Sequence, residues 1–332
     1  MKKTKKLFAC LLAAATTFAM GATAFAAGTQ QPVEGKVHFI SEYKLEGAGT
    51  SPAETFQFTI ENAGVTDAAD GVTTANMPTP TLGTAAYSAG DASTEGNKKN
   101  VEVTLPTYTS VGVYTYNISQ TAGTTAGVTY DAVPVVMKVT VLNQDGGVGV
   151  STVSFTKNGT KLDDAAAFTN IYTANTLSVK KTVSGDLGDK SKYFDFEVTL
   201  TGQDGKQYGA SYAVTGGSNG SNPATVTIGT PATFKLKHDE TITIANLPAG
   251  IAYKVEEVNV DTRYTTTVNG ASSKVAQGTT SATAVNANYE NSYGATVDTG
   301  VNLTNLPYIL VFLGVLFIAG IALVSRKRRF DA

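Results

Sequence analysis

The chain has 332 residues, with 25 Lys and Arg against 27 Asp and Glu, one Cys, two His and no Trp. Its ends hold eight of the basic residues and one acid, so residues 27–299 carry 17 basic and 26 acidic residues, a net of −9, with Arg263 as the only arginine. This excludes the clustered basic surface that nucleic acid requires, and a lone Cys10 excludes any internal disulfide.

The chain opens with Met1-Lys2-Lys3-Thr4-Lys5-Lys6, continues with a weakly apolar run to Met20, and reaches Ala24-Phe25-Ala26. A positive start, a short apolar core and an A-x-A site predict a secretory signal peptide over 1–26. Cys10 lies too early in the run to be a lipidation site. The region that follows reads as β throughout. Phe56-Gln57-Phe58-Thr59-Ile60, Val101-Glu102-Val103-Thr104-Leu105 and Phe194-Asp195-Phe196-Glu197-Val198 alternate apolar and polar residues with period two. Val135-Val136-Met137-Lys138-Val139-Thr140-Val141 predicts a well-buried strand. Asn143-Gln144-Asp145-Gly146-Gly147, Asn158-Gly159, Thr201-Gly202 and Asn269-Gly270 punctuate the pattern as turns. Residues 66–100, rich in Thr, Ala, Gly and Asn, read as a loop-rich insertion.

The β region also repeats. Lys44 precedes Phe56-Gln57-Phe58 as Lys181 precedes Phe194-Asp195-Phe196. Gly112-Val113-Tyr114-Thr115-Tyr116 parallels Gly250-Ile251-Ala252-Tyr253, and Ala167-Phe168-Thr169-Asn170 parallels Asn288-Tyr289-Glu290-Asn291. Lys44 to Gln120 spans 76 residues, as does Lys181 to Glu257. The fold expected is all-β: two tandem immunoglobulin-like β-sandwich domains over 27–173 and 174–293, with the boundary near 172–176.

Beyond them, residues 306–324 form an uncharged apolar segment long enough to span a membrane, followed at once by Arg326-Lys327-Arg328-Arg329. Just before it stands Thr296-Val297-Asp298-Thr299-Gly300. A Thr-Gly motif, an apolar span and a basic tail together resemble the sorting signal recognised by sortases. Val297 stands where the L-P-x-T-G form has Pro, and Asp298 where the V-P-T-G-V form has its Pro. Residues 294–332 are assigned to this signal. The resemblance implies cleavage between Thr299 and Gly300, passage through the plasma membrane as a precursor, and attachment to peptidoglycan.

Thr176-Leu177-Ser178-Val179-Lys180-Lys181-Thr182-Val183-Ser184-Gly185, Tyr130-Asp131 leading into the 135–141 strand, and Gly300-Val301 through Pro307-Tyr308 extend the likeness over nearly the whole chain. With them the chain resembles the two-domain major pilins of streptococci, built of collagen-adhesin B-type domains. In that family a first-strand Lys bonds covalently to a last-strand Asn, assisted by a Glu on a central strand. The resemblance implies a Lys181–Asn291 isopeptide bond with Glu257 assisting. The parity that Lys181 shares with Val179 and Val183 agrees, because it turns the amine to the apolar face. In the first domain Lys44 and Asn170 match, but Gln120 stands at the Glu position. Either another carboxyl, such as Glu42, substitutes there or no bond forms.

The resemblance also implies a lysine that attacks the sortase-held Thr299 of the next subunit. Lys161, after the Asn158-Gly159 turn, fits best, with Lys157 second. The function expected is that of a pilus shaft subunit, with a monomeric wall-anchored adhesin that binds a host ligand as the alternative. Sortase, identical subunits, peptidoglycan, and minor pilins or a host ligand are the expected partners. No metal, cofactor or enzyme activity is expected: His38 and His238 have no metal-ligand spacing, and nucleophile-elbow, phosphate-loop and C-x-x-C motifs are missing.

Overall fold

The structure, a computed structural model, describes residues 28–294. The expected signal peptide, Thr299, Gly300 and the 306–324 segment lie outside these residues. All regular secondary structure among the described residues is β.

Period-two alternation decides which face each strand buries. The strand Lys36–Gly47 turns Val37, Phe39, Ser41 and Tyr43 inward. The strand Phe194–Thr201 does the same with Phe194, Phe196, Val198 and Leu200. The long Val135–Gln144 strand buries Val135, Met137, Val139 and Val141. Two-residue turns join neighbours: Asn158 and Gly159 have φ of 50° and 77°. Both values are positive, as the hairpin turn that matches strand twist requires.

Residues up to Ala174 enclose one core and residues from Leu177 onward a second. In the first unit, Gly147–Lys157, Val135–Gln144, Gly112–Thr121 and Glu54–Thr66 form one sheet, in that order. It faces Lys36–Gly47 and Asn97–Thr104, which pair antiparallel. With no Trp available, rings of Phe and Tyr fill the space between, among them Phe39, Tyr43, Phe56, Tyr114 and Phe168. The 66–100 insertion carries short strands at Thr81–Leu82 and Ala85–Tyr87, and seats Met77, Ala85, Tyr87 and Ala92 on this core. In the second unit, Phe194–Thr201 lies between Ala232–Leu236 and Ala252–Val258. That sheet faces one in which Thr241–Pro248 and Val285–Ser292 flank the strand Phe168–Ser184.

The central strand, Phe168–Ser184, belongs to both units. Its first part runs parallel to Lys36–Gly47, its second part parallel to Val285–Ser292. Even-numbered residues Phe168, Asn170, Tyr172 and Ala174 are buried in the first half, odd-numbered Leu177, Val179, Lys181 and Val183 in the second. The phase changes at Ala174 and Asn175, where the pairing with Thr241–Pro248 slips between Asn175 and Leu177. An irregularity of this kind lets one strand point its side chains into two cores without leaving the sheet. Backbone bonds across the junction, Ala126 N to Gln207 O at 2.9 Å and Gln207 N to Thr124 O at 2.8 Å, link the two units. Thr50 N donates to Asn246 Oδ1 at 2.9 Å.

Candidate functional site

Lys181 and Asn291 lie on adjacent parallel strands. Lys181 stands opposite Tyr289, and Asn291 opposite Val183. The two side chains therefore share the inner face, offset by one step of two residues. Strands in a sheet are ~4.8 Å apart, so an amine on one reaches an amide on the next. Glu257 descends from the facing sheet, where it stands opposite Phe196. The amine Nζ of Lys181 donates to Glu257 Oε1 at 2.7 Å, and Asn291 Nδ2 donates to the same oxygen at 2.7 Å. Lys181 and Asn291 are 0% exposed and Glu257 1%. The rings of Phe194 and Phe196 wall the site, 4.3 and 5.8 Å from Nζ to ring centre.

Burial pushes the Lys181 ammonium down to about 8, against the pull of Glu257 and, more weakly, Glu290, which favour the charged form. Two acceptors here have no hydrogen-bond partner, Glu257 Oε2 and Asn291 Oδ1. Buried polar atoms are normally paired because leaving them bare is costly. A proton placed on the Glu257 carboxyl would serve both, since the acid could then donate to the amide oxygen once the amide turned over.

The first unit is arranged differently. Asn170 stands opposite Tyr43, and Lys44, one residue on, takes the other face of its strand. The Lys44 side chain is 39% exposed and its amine lies 3.6 Å from Glu42 Oε2. The structure thus does not bring Lys44 and Asn170 together, because strand parity separates them. The equal 76-residue spacings conceal connections of unequal length. Asn170, fully buried, is instead locked to Gln120. Gln120 Nε2 donates to Asn170 Oδ1 at 2.6 Å, and Asn170 Nδ2 donates back to Gln120 Oε1 at 3.0 Å. The amide of Asp131 also donates to Asn170 Oδ1, at 3.1 Å.

The two loop lysines differ in the same way. Lys157 Nζ donates to Asp131 Oδ2 at 2.5 Å and to Ala167 O at 2.8 Å, with its side chain 18% exposed. Lys161 lies across the hairpin from Thr156, in the short strand Thr160–Leu162. It is half-buried, and its amine has no ion-pair or hydrogen-bond partner among the described residues. Sequence reasoning passed over Phe194 and Phe196 as parts of the site. The signal was there: both have inward parity on the strand beside the one that carries Glu257.

Residues 41–173 match the family model of the Spy0128-like isopeptide containing domain, and 175–292 that of a domain of unknown function (DUF7601). The chain is 31% identical over 242 residues to a pilin of Streptococcus pyogenes serotype M1, which covers 67% of this chain and 69% of that pilin. A stretch of 94 residues is 37% identical to a pilus tip adhesin of Streptococcus pyogenes, 28% of this chain and 13% of the adhesin. A crystal structure of a major pilin from Streptococcus pyogenes superposes with a TM-score of 0.51 at 26% identity, covering 79% of this chain and 99% of that one. A major pilin (T3.2) of serotype GAS13637 gives 0.50 at 25%, covering 80% and 100%. With the two sandwiches, the shared strand and this degree of likeness over more than two thirds of a pilin, the chain belongs to the family of Gram-positive major pilins.

Proposed function

We propose that this shaft pilin is joined into its fibre by sortase through Thr299 and an acceptor lysine, Lys161, is anchored to peptidoglycan, and is locked internally by a Lys181–Asn291 isopeptide bond. The observation that carries the bond is the buried triangle of Lys181, Glu257 and Asn291 around one carboxylate oxygen. The pair of Lys181 and Glu257 holds one proton. Moving it 2.7 Å from Nζ to Oε1 leaves a neutral amine and a carboxylic acid, in a site where burial already works against the Lys181 ammonium. The amine attacks Cγ of Asn291 while the acid protonates Oδ1. As the intermediate collapses, Glu257 passes an Nζ proton to the departing amide nitrogen and takes back the proton from Oδ1, so that the carbonyl re-forms and the acid is regenerated. The C–N bond to Nδ2 breaks, the Nζ–Cγ bond remains, and ammonia leaves.

Lys161 is favoured over Lys157 because its amine is free, whereas Asp131 and Ala167 hold Lys157. This choice gives a short path for tension. From Lys161 it is 20 residues to Lys181, most of them in the strand Phe168–Ser184. The bond then crosses to Asn291, and Thr299 follows eight residues later. Force along the fibre would run through this path and leave both sandwiches unstretched. Immunoblotting of cell-wall extracts tests the whole reading. A high-mass ladder that Thr299→Ala abolishes is expected. A single band near monomer mass would point instead to a wall-anchored adhesin.

A further inference from the structure

The two units can be placed in register through their own pairing. In the second unit, Asn291 stands opposite Val183, and the reactive amine sits two residues earlier, at Lys181. In the first unit Asn170 stands opposite Tyr43, and two residues earlier is Ser41. The facing sheet agrees: Glu257 pairs with Phe196, and Gln120 pairs with Phe58, the second Phe of the matching Phe-x-Phe strand. Ser41 is 0% exposed, a small polar side chain on the inner face of its strand with the Tyr87 hydroxyl beside it.

We infer that the first unit carries a disarmed copy of the site, in which Ser41, Gln120 and Asn170 stand where the second has Lys181, Glu257 and Asn291. The protein makes no Lys–Asn bond there, and Ser41→Lys with Gln120→Glu restores one. The inference rests on the bond-forming reading of the second unit. Both changes remove chemistry that the bond needs. Serine presents no amine, and glutamine has no proton to give to the amide oxygen. What replaces them is a neutral pair. Gln120 and Asn170 satisfy each other with two hydrogen bonds, and Asp131 N occupies the remaining lone pair of Asn170. Burying two amides that pair reciprocally avoids the desolvation of an ion pair. The other nearby amines are spent or misdirected: Lys157 is bound to Asp131, and Lys44 faces away. The arrangement also fits the proposed tension path, which enters at Lys161 and does not pass from one end of the first unit to the other. The match to an isopeptide-containing family therefore falls on the half, 41–173, that has lost the reactive groups.

Intact-mass measurement of the purified protein, with peptide mapping, tests this. One bond lowers the mass by about 17 Da, the ammonia expelled by amine attack. Wild type is expected to lose about 17 Da once, with the Asn170 peptide linear. A second loss, or any cross-linked Asn170 peptide, overturns the inference. No loss at all would instead sink the reading of the second unit. Ser41→Lys/Gln120→Glu is expected to lose about 34 Da with Asn170 cross-linked; a folded double variant that stays at one bond overturns it. Should that variant not fold, the reciprocal exchange Lys181→Ser/Glu257→Gln decides. It is expected to fold with no mass loss, as the first unit does, and a failure to fold would show that the neutral set cannot replace the reactive one.

Discussion

Replacing Glu257 by Gln isolates the contribution of the covalent ring. The side chain keeps its size and an acceptor for Lys181, now 2.7 Å from Oε1, but loses the proton that the amide oxygen needs. The wild-type ring closes residues 181–291. By the chain-entropy estimate for a cross-link of about 100 residues, it stabilises the fold by about 4–5 kcal/mol. For a unit of this size about 4 °C accompanies each kcal/mol, so the second unit should melt about 15–20 °C lower in Glu257→Gln. The lone Lys181 adds little to that loss, because an amine already lowered to about 8 by burial sheds its proton near neutral pH once its carboxylate is gone. Mass spectrometry and calorimetry on one sample check both halves. The wild type should lie about 17 Da below its sequence mass and the variant at it. A variant that still loses ammonia would refute the role of Glu257. One that keeps the bond-free mass yet melts with the wild type would refute the ring's contribution.

The remaining predictions follow from the same geometry. Chain recovered unfolded and refolded at fixed pH should form the bond at a rate that falls about tenfold per unit above about 8, as the proton shared by Lys181 and Glu257 is lost to water; a rate still climbing at pH 10 would contradict the internal transfer. Lys161→Ala should abolish the wall-extract ladder while leaving the monomer folded and wall-linked, so persistence of the ladder would remove Lys161 as acceptor. Lys157→Ala should leave polymerisation intact but cost about 1–3 kcal/mol, since it strips Asp131 of its ion-pair partner and leaves only the Thr169 and Val133 amides on that carboxylate; the urea midpoint reads this out. Gly47→Ala should also lower the urea midpoint, by about 1–3 kcal/mol, because Gly47 has φ of +86° and an added Cβ would meet Ala174 O at 2.2 Å.

Much of this protein is written along the chain. Alternation in segments such as Phe194-Asp195-Phe196-Glu197-Val198 makes strands, because a pleated strand turns successive side chains to opposite faces and water selects which face is apolar. The Asn-Gly pairs make tight turns because only such residues accept positive φ cheaply. The inward parity of Lys181 is likewise local, readable from Val179 and Val183. What alternation cannot carry is register between distant strands. It depends on loop lengths and on the phase slip at Ala174 and Asn175, and neither leaves a mark in a pairwise spacing. That is why Lys44, 76 residues before Gln120 as Lys181 is before Glu257, suggested a partner for Asn170. Only the folded sheets set Ser41 in that place and turned Lys44 to the other face, because a strand shifted by an odd number of residues exchanges every inward side chain for an outward one.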